Sequence, residues 1–453
     1  MINNAKIKFW ILLIICISLF QGSFAQEDEQ SEQEDPSEQS DQSKGTVSVL
    51  KLRKGYKLGS GLRFSSGIGT FDINQTFQTL FGIASPNKDL SGMQSQFDIP
   101  RARFLFDANL FDNKIAFVFK MNFAAANQSA TSGNRSFNNT IQEAYIEYKP
   151  NVVHTFNIGL RADYVDSREL RIEGENLGFI DRSAVVDAFD AIFDYGLRYK
   201  GSYKLGGKNL LRPYVSITTG DSRAATQKNF GGYKFGIRLD YLPFDKFSEA
   251  GEFYMEDLAR ETKPKLVVGV VYSYNNGQSS AQGTNGGRYI YGDIDQNELL
   301  PDFSKAGIDY MFKYRGFYSM GSYYSTSTKI PQGIAGEYKL NGSFSPYTGQ
   351  TPDQIEATVL SRLNVGYGFN IQAGYVLPCD WAFGARYAYL NNDPGAAQFA
   401  DYNKYYSLVA TKYFAGHKFK IQTEVDFNEF KENLKTETSV GNYFFRTMIT
   451  LQL

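Results

Sequence analysis

Histidine and cysteine are nearly absent from this chain. Two of each occur among 453 residues, which leaves little material for metal ligation or for His- or Cys-based catalysis. Proline is sparse, at 13 residues. No run after residue 25 approaches 18 apolar residues and mean hydropathy is −0.36, which excludes a bundle of membrane-spanning helices. The chain also lacks a phosphate-binding glycine loop, a dinucleotide fingerprint, a zinc-type Cys/His cluster and a basic–aromatic nucleic-acid surface. What it has instead is aromatic residues: 37 Phe, 31 Tyr and 2 Trp, with 42 Gly beside them. That much apolar material, spread over the whole length, excludes a disordered polar protein.

Residues 1–25 read as a cleaved secretory leader. Lys6 and Lys8 precede the apolar run Phe9 to Phe20, and Ser23-Phe24-Ala25 forms a small-x-small site before Gln26. The apolar run has about 12 residues, where a spanning helix needs about 20. After cleavage Cys379 is the single cysteine, so no internal disulfide is expected. Residues 26–45 form an acidic, solvated tail, because eight of the eighteen residues from Gln26 to Ser43 are Asp or Glu. Leader and tail conceal the charge of the remainder. The whole chain is −1, whereas the body from Lys44 onward has 45 basic and 40 acidic residues.

Residues 46–453 carry period-2 alternation in segments of about ten residues, the pattern of a strand with two unlike faces. Ile115, Phe117, Phe119, Met121 and Phe123 alternate with Ala116, Val118, Lys120, Asn122 and Ala124, and Phe235, Ile237 and Leu239 with Lys234, Gly236 and Arg238. Sixteen such segments fall at about 70–82, 99–110, 114–124, 140–149, 154–163, 193–204, 211–219, 231–243, 264–275, 304–315, 316–326, 366–377, 380–390, 404–414, 417–428 and 441–452. Their connections alternate between short and long. The fold class expected is therefore all-β: a transmembrane antiparallel β-barrel of about 16 strands, with short periplasmic turns and long extracellular loops. Connection 244–263 breaks the rule, being long on the short-turn side. A soluble sandwich would need evenly spaced turns instead.

With the apolar face toward lipid, alternation puts the other face in the lumen. It places Arg101, Arg103, Lys120, Arg161, Arg198, Lys200, Lys234, Arg238, Lys313, Arg315, Arg386, Lys418, Lys420 and Arg446 inside, against the acids Asp107, Glu143, Glu147, Asp163, Asp240, Asp309, Glu424 and Asp426. Such a lining favours anions if the cations lack partners, and makes a general pore if the two signs pair. Loop 164–192, with Arg168, Arg171 and Arg182 beside acids that include Asp166, Glu169, Glu173, Glu175 and Asp181, is expected to fold inward and to carry a short helix within 181–189. Thr351-Pro352-Asp353 predicts a helix over about 352–361. His154 and His417 are expected in solvated turns, which argues against an enzyme.

Several segments resemble the phosphate-selective porin O and P family of Bacteroidetes-type bacteria: Ile99 to Asp107 with Leu110 to Asn113, Gln142 to Pro150, Ile158-Gly159, Ser167 to Leu170, Phe179 to Ser183, Asp187 to Phe189, Gln372 to Tyr375 and Ala385 to Tyr387. The resemblance covers most of 56–453. It implies a sixteen-stranded outer-membrane porin, a homotrimer in contact with outer-membrane lipid, passing small anions such as phosphate or polyphosphate by passive diffusion without a cofactor. It makes Arg101, Arg103, Arg161, Arg168 and Arg182 the first anion-binding candidates. Loop 164–192 carries no excess of basic residues, so strict phosphate selectivity and a weaker anion preference both stay open. A largely closed barrel with a structural or assembly role is the alternative.

Overall fold

The computed structural model describes residues 51–52, 58–124, 140–190, 193–221, 230–279, 289–339, 342–392, 402–431 and 439–453. The expected leader and acidic tail lie outside the described residues. Sixteen antiparallel strands close into a barrel. They are β1 (Gly69–Ser85), β2 (Gln94–Leu110), β3 (Ile115–Asn122), β4 (Ile141–Tyr148), β5 (His154–Ala162), β6 (Phe193–Gly201), β7 (Asn209–Thr218), β8 (Lys234–Leu242), β9 (Lys265–Asn275), β10 (Asp302–Tyr314), β11 (Phe317–Lys329), β12 (Gly366–Val376), β13 (Trp381–Asn392), β14 (Tyr402–Tyr413), β15 (Phe419–Lys431) and β16 (Ser439–Gln452). Each expected segment overlaps one of them, several strands running two to five residues further. β16 closes the barrel on β1, with Met448 opposite Leu80 and Arg446 opposite Gly82. Closure leaves the sixteen-strand ring without the unpaired edge that would otherwise expose backbone groups.

The outer face is apolar, as the alternation requires. Leu408, Ile237, Ile158 and Phe383 are among its exposed side chains. Cross-strand register brings rings into a girdle, Tyr387 to Tyr406 at 5.1 Å, Tyr406 to Phe427 at 6.0 Å and Phe427 to Tyr443 at 4.8 Å between centroids. Such contiguous exposed apolar area is what a lipid environment accommodates and water does not.

The lumen is not empty. Residues 163–190 enter it between β5 and β6 and are largely buried, with Val165, Ile172, Leu177, Phe179, Ile180 and Val185 excluded from solvent. Inward side chains of the wall meet them: Leu210, Leu242, Val267, Met311, Met320, Val376 and Val409 join Ile172, Leu177 and Phe179 in one apolar cluster. Removing each such side chain from water stabilises the arrangement by about 1.5–3 kcal/mol. Two wall glycines make room. A Cβ at Gly236 would lie 2.5 Å from Val165 Cγ1, and one at Gly368 would lie 2.9 Å from Phe189. The expected short helix forms at α1 (Ala184–Phe189).

At the loop end, α2 (Pro352–Leu360) begins with a capping box between Thr351 and Gln354, as the Thr-Pro-Asp signal predicts. It packs through Val359 with Tyr291, Phe303, Ile334, Leu363 and Val365 beside a three-stranded sheet formed by Ile290–Gly292, Gly336–Tyr338 and Phe344–Pro346.

Ile371, mid-strand in β12 and half exposed on the outer face, provides a direct test of the lipid-facing parity. Ile371→Lys is expected to lower the unfolding free energy in bilayers by about 2–4 kcal/mol, read by denaturant titration, while Ile371→Leu leaves it nearly unchanged.

Candidate functional site

The inward loop divides the lumen into two unequal parts. On the side of β7 to β10 it is bonded to the wall through charges. Arg238 donates from Nε to Asp240 at 2.8 Å and from Nη2 to Asp309 at 2.5 Å. Arg168 of the loop donates to the same two carboxylates, at 2.8 Å to Asp240 and 3.1 Å to Asp309. Arg171 reaches the second oxygen of Asp240 at 3.1 Å, and Tyr324 donates to Asp309 at 3.1 Å. Lys305 bridges the loop's Asp166 and, at 2.9 Å, Asp190. On the far wall Arg446 pairs with Asp181, with Glu424 at 3.1 Å and with Asp426 at 2.8 Å, while Arg386 lies 3.4 Å from Glu424.

On the side of β2 to β6 the loop stands away from the wall. The space between is a cavity of about 520 Å³ lined by Arg101, Arg103, Lys120, Lys149, Arg161, Arg171, Arg182 and Lys200, and by four acids, Asp107, Glu143, Glu147 and Glu173. Several of these bases are paired: Lys120 with Glu143 at 2.6 Å and Glu173 at 2.5 Å, Arg103 with Glu175 at 3.1 Å, and Arg161 with Glu147 at 3.1 Å. Arg101, Arg182 and Lys200 make no ion pair among the described residues. Arg101 donates to the Gln78 side chain at 2.5 Å. Arg182 donates to the backbone oxygens of Glu169, Leu170 and Ile172. Burial first, and the Arg103 guanidinium second, lower the proton affinity of Arg182, as expected for clustered cations.

Of the twelve candidates from the sequence, Arg101, Arg103, Lys120, Arg161, Arg182 and Lys200 line this cavity. Arg168, Arg238, Arg386 and Arg446 belong instead to the ion-pair networks that bond loop to wall. Arg198 donates to the backbone oxygens of Gly159, Arg161 and Asp194, so it is a strut rather than a pore-lining group. Arg315 is not luminal. It occupies the two-residue turn Arg315–Gly316 at φ 49°, exposed, because the strands end one residue to either side. Lys418 is likewise an exposed turn residue. Lys305 and Arg212 were not singled out from sequence, yet they share inward parity with Asp309 and Tyr214 on their strands, and that parity was the available signal.

His154 and His417 also depart from expectation. His154 opens β5 and its Nδ1 lies 2.9 Å from the Tyr199 hydroxyl. His417 is buried, not solvated. Its ring packs against Tyr254 at 5.0 Å and Tyr413 at 5.4 Å, with Glu256 at 3.9 Å.

Comparison with solved structures finds the same architecture. The anion-selective porin from Comamonas acidovorans matches with a TM-score of 0.50 at 7% identity, over 85% of this chain and 100% of that one. OmpF of Salmonella typhi, solved with daunomycin, matches at 0.49 and 14% identity over 85% and 98%. The outer-membrane channel DcaP of Acinetobacter baumannii matches at 0.46 and 11% identity over 87% and 100%. The fold is that of a sixteen-stranded porin barrel. No protein-family profile matches the sequence, and no curated protein is similar to it. The resemblance to the phosphate-selective porins O and P therefore rests on its short motifs.

His417 supplies a pH test of the turn-end packing. Burial first, then the charges of Lys420 and Lys313, hold its pKa well below the ordinary 6.5, with Glu256 the acid facing it. The unfolded chain takes up the proton near 6.5 and the folded one does not. The neutral ring's contribution is thus complete above about pH 6.5 and declines as pH falls below it. Hydrogen exchange at residues 248–256 and 414–418, corrected for intrinsic rates, is expected to quicken between about pH 7 and 5, and His417→Gln should flatten that response.

Proposed function

We propose that this chain is a porin-type channel of a bacterial outer membrane, exported by its leader, that passes small hydrophilic anions by passive diffusion. The observation that supports this best is the lining of the off-axis cavity, eight basic against four acidic side chains, with Arg101, Arg182 and Lys200 free of carboxylate partners among the described residues. Paired charges present only a weak field to a passing ion, whereas unpaired ones lower the barrier for anions and raise it for cations. The planar guanidinium fork suits oxyanions, which brings phosphate and polyphosphate within the reading. In this orientation the turn end faces the periplasm, and the resemblance to the phosphate-selective porins adds homotrimeric assembly.

A second reading is favoured by the apolar cluster inside the barrel. A lumen packed in this way also suits a closed barrel with a structural role.

Reversal potentials in planar bilayers under a KCl gradient separate the two. Anion selectivity is expected, with chloride current reduced by added phosphate. A charge at about 4 Å in water-like surroundings is worth about 1 kcal/mol, or roughly a fivefold change in relative permeability. Arg182→Gln should therefore weaken anion preference severalfold. Glu173→Gln, which frees Lys120 and Arg103 from a shared partner, should strengthen it. A potential near zero with large conductance would contradict the anion reading, and absence of conductance would favour the closed barrel.

A further inference from the structure

Connections at the turn end run from two to seven residues, except that between β8 and β9, which has 22. We propose that this segment, 243–264, is the support that holds the inward loop in place and confines permeation to the off-axis passage. The proposal rests on the channel reading above.

The segment folds up into the barrel, where Phe247, Met255, Glu256 and Asp257 are buried. It meets the loop directly. Met255 N donates to the Asn176 backbone oxygen at 3.0 Å, Asn176 Nδ2 donates back to the Phe253 oxygen at 3.4 Å, and Met255 Sδ lies 3.1 Å from Gly178 N. Phe247 and Met255 complete the apolar cluster around Leu177 and Phe179. Phe253 itself forms part of the cavity lining. The segment is thus both the floor under the loop and one wall of the passage.

Four groups of the barrel are arranged to receive it. Lys313, inward on β10 and in no ion pair among the described residues, donates its three protons to the backbone oxygens of Gly251 at 2.8 Å, Tyr254 at 2.9 Å and Glu256 at 2.7 Å. Arg212 of β7 pairs with Glu252 at 2.6 Å. Tyr413 of β14 donates to Glu256. The amide of Gly316, in the β10–β11 turn, donates to Asp257 at 2.7 Å. A buried ammonium held by carbonyls of one segment would be orphaned if that segment left. Wall and segment are therefore matched to each other.

The test compares full-length wild type, Lys313→Gln and a variant in which 248–254 is replaced by a two-residue Gly-Ser turn. Single-channel conductance, reversal potential and hydrogen exchange over 172–180 are measured on each. Both variants are expected to conduct severalfold more, to shift reversal potential toward zero and to exchange faster over 172–180. Wild-type conductance, selectivity and exchange in both would overturn the proposal. If the shortened chain fails to fold, seen as loss of heat-modifiable gel mobility, Lys313→Gln and Arg212→Met decide through the same readings. If wild type does not conduct, the channel reading fails, and exchange over 172–180 alone decides whether the segment supports the loop.

Discussion

Four side chains fix the interior: Arg168 and Arg238 against Asp240 and Asp309, each almost entirely excluded from solvent. Taking such charges out of water costs several kcal/mol per ion, and only close, hydrogen-bonded partners offset it. Three of the four come from two wall strands, Arg238 and Asp240 from β8 and Asp309 from β10, and Arg168 comes from the loop, so the loop cannot lift away without leaving both carboxylates under-satisfied. Arg171, Lys305 and Tyr324 extend the same constraint along the loop. The position of residues 163–190 follows from this, and the passage is what remains on the opposite side.

The two parts of the lumen differ because the wall strands differ on their inner faces. Toward β8 to β14 the inward positions at the turn end are Leu242, Val267, Met311, Met320, Val376 and Val409, which exclude water and bind the loop's own apolar residues. Toward β2 to β6 they are Arg101, Arg103, Lys120 and Arg161 with their acids, which line a polar cavity. Near the turn end, then, some strands are apolar on both faces, one toward lipid and one toward an internal core. A barrel of this kind behaves as a folded domain with a polar channel along one edge. Both halves are needed, since the apolar half positions the loop whose Glu173, Arg171 and Arg182 bound the channel.

Much of this was legible from the sequence, for a physical reason. Alternation is local, so all sixteen strands and their facing could be read from neighbours two residues apart, and the cap Thr351-Pro352 marked α2 in the same way. Arg315 failed because a one-residue shift at a strand end moves a side chain from lumen to turn. His417 failed because its partners, Tyr254 and Glu256, lie more than 160 residues earlier. Which arginines are neutralised depends on contacts such as Arg446 with Asp181 and Arg386 with Glu424, which join distant segments. The irregular length of 244–263 was visible, but its insertion was not, because the groups that receive it, among them Lys313 and Arg212, lie on other strands.

The proposed anion path runs along Arg101, Arg182 and Lys200, which make no ion pair among the described residues, while Arg168, Arg238 and Arg386 are occupied by carboxylates. Anomalous diffraction from crystals soaked in bromide tests that claim most directly. That path predicts bromide peaks along those three residues and none beside Arg168, Arg238 or Arg386. Peaks clustered at the latter three, or an empty cavity under saturating bromide, would contradict it.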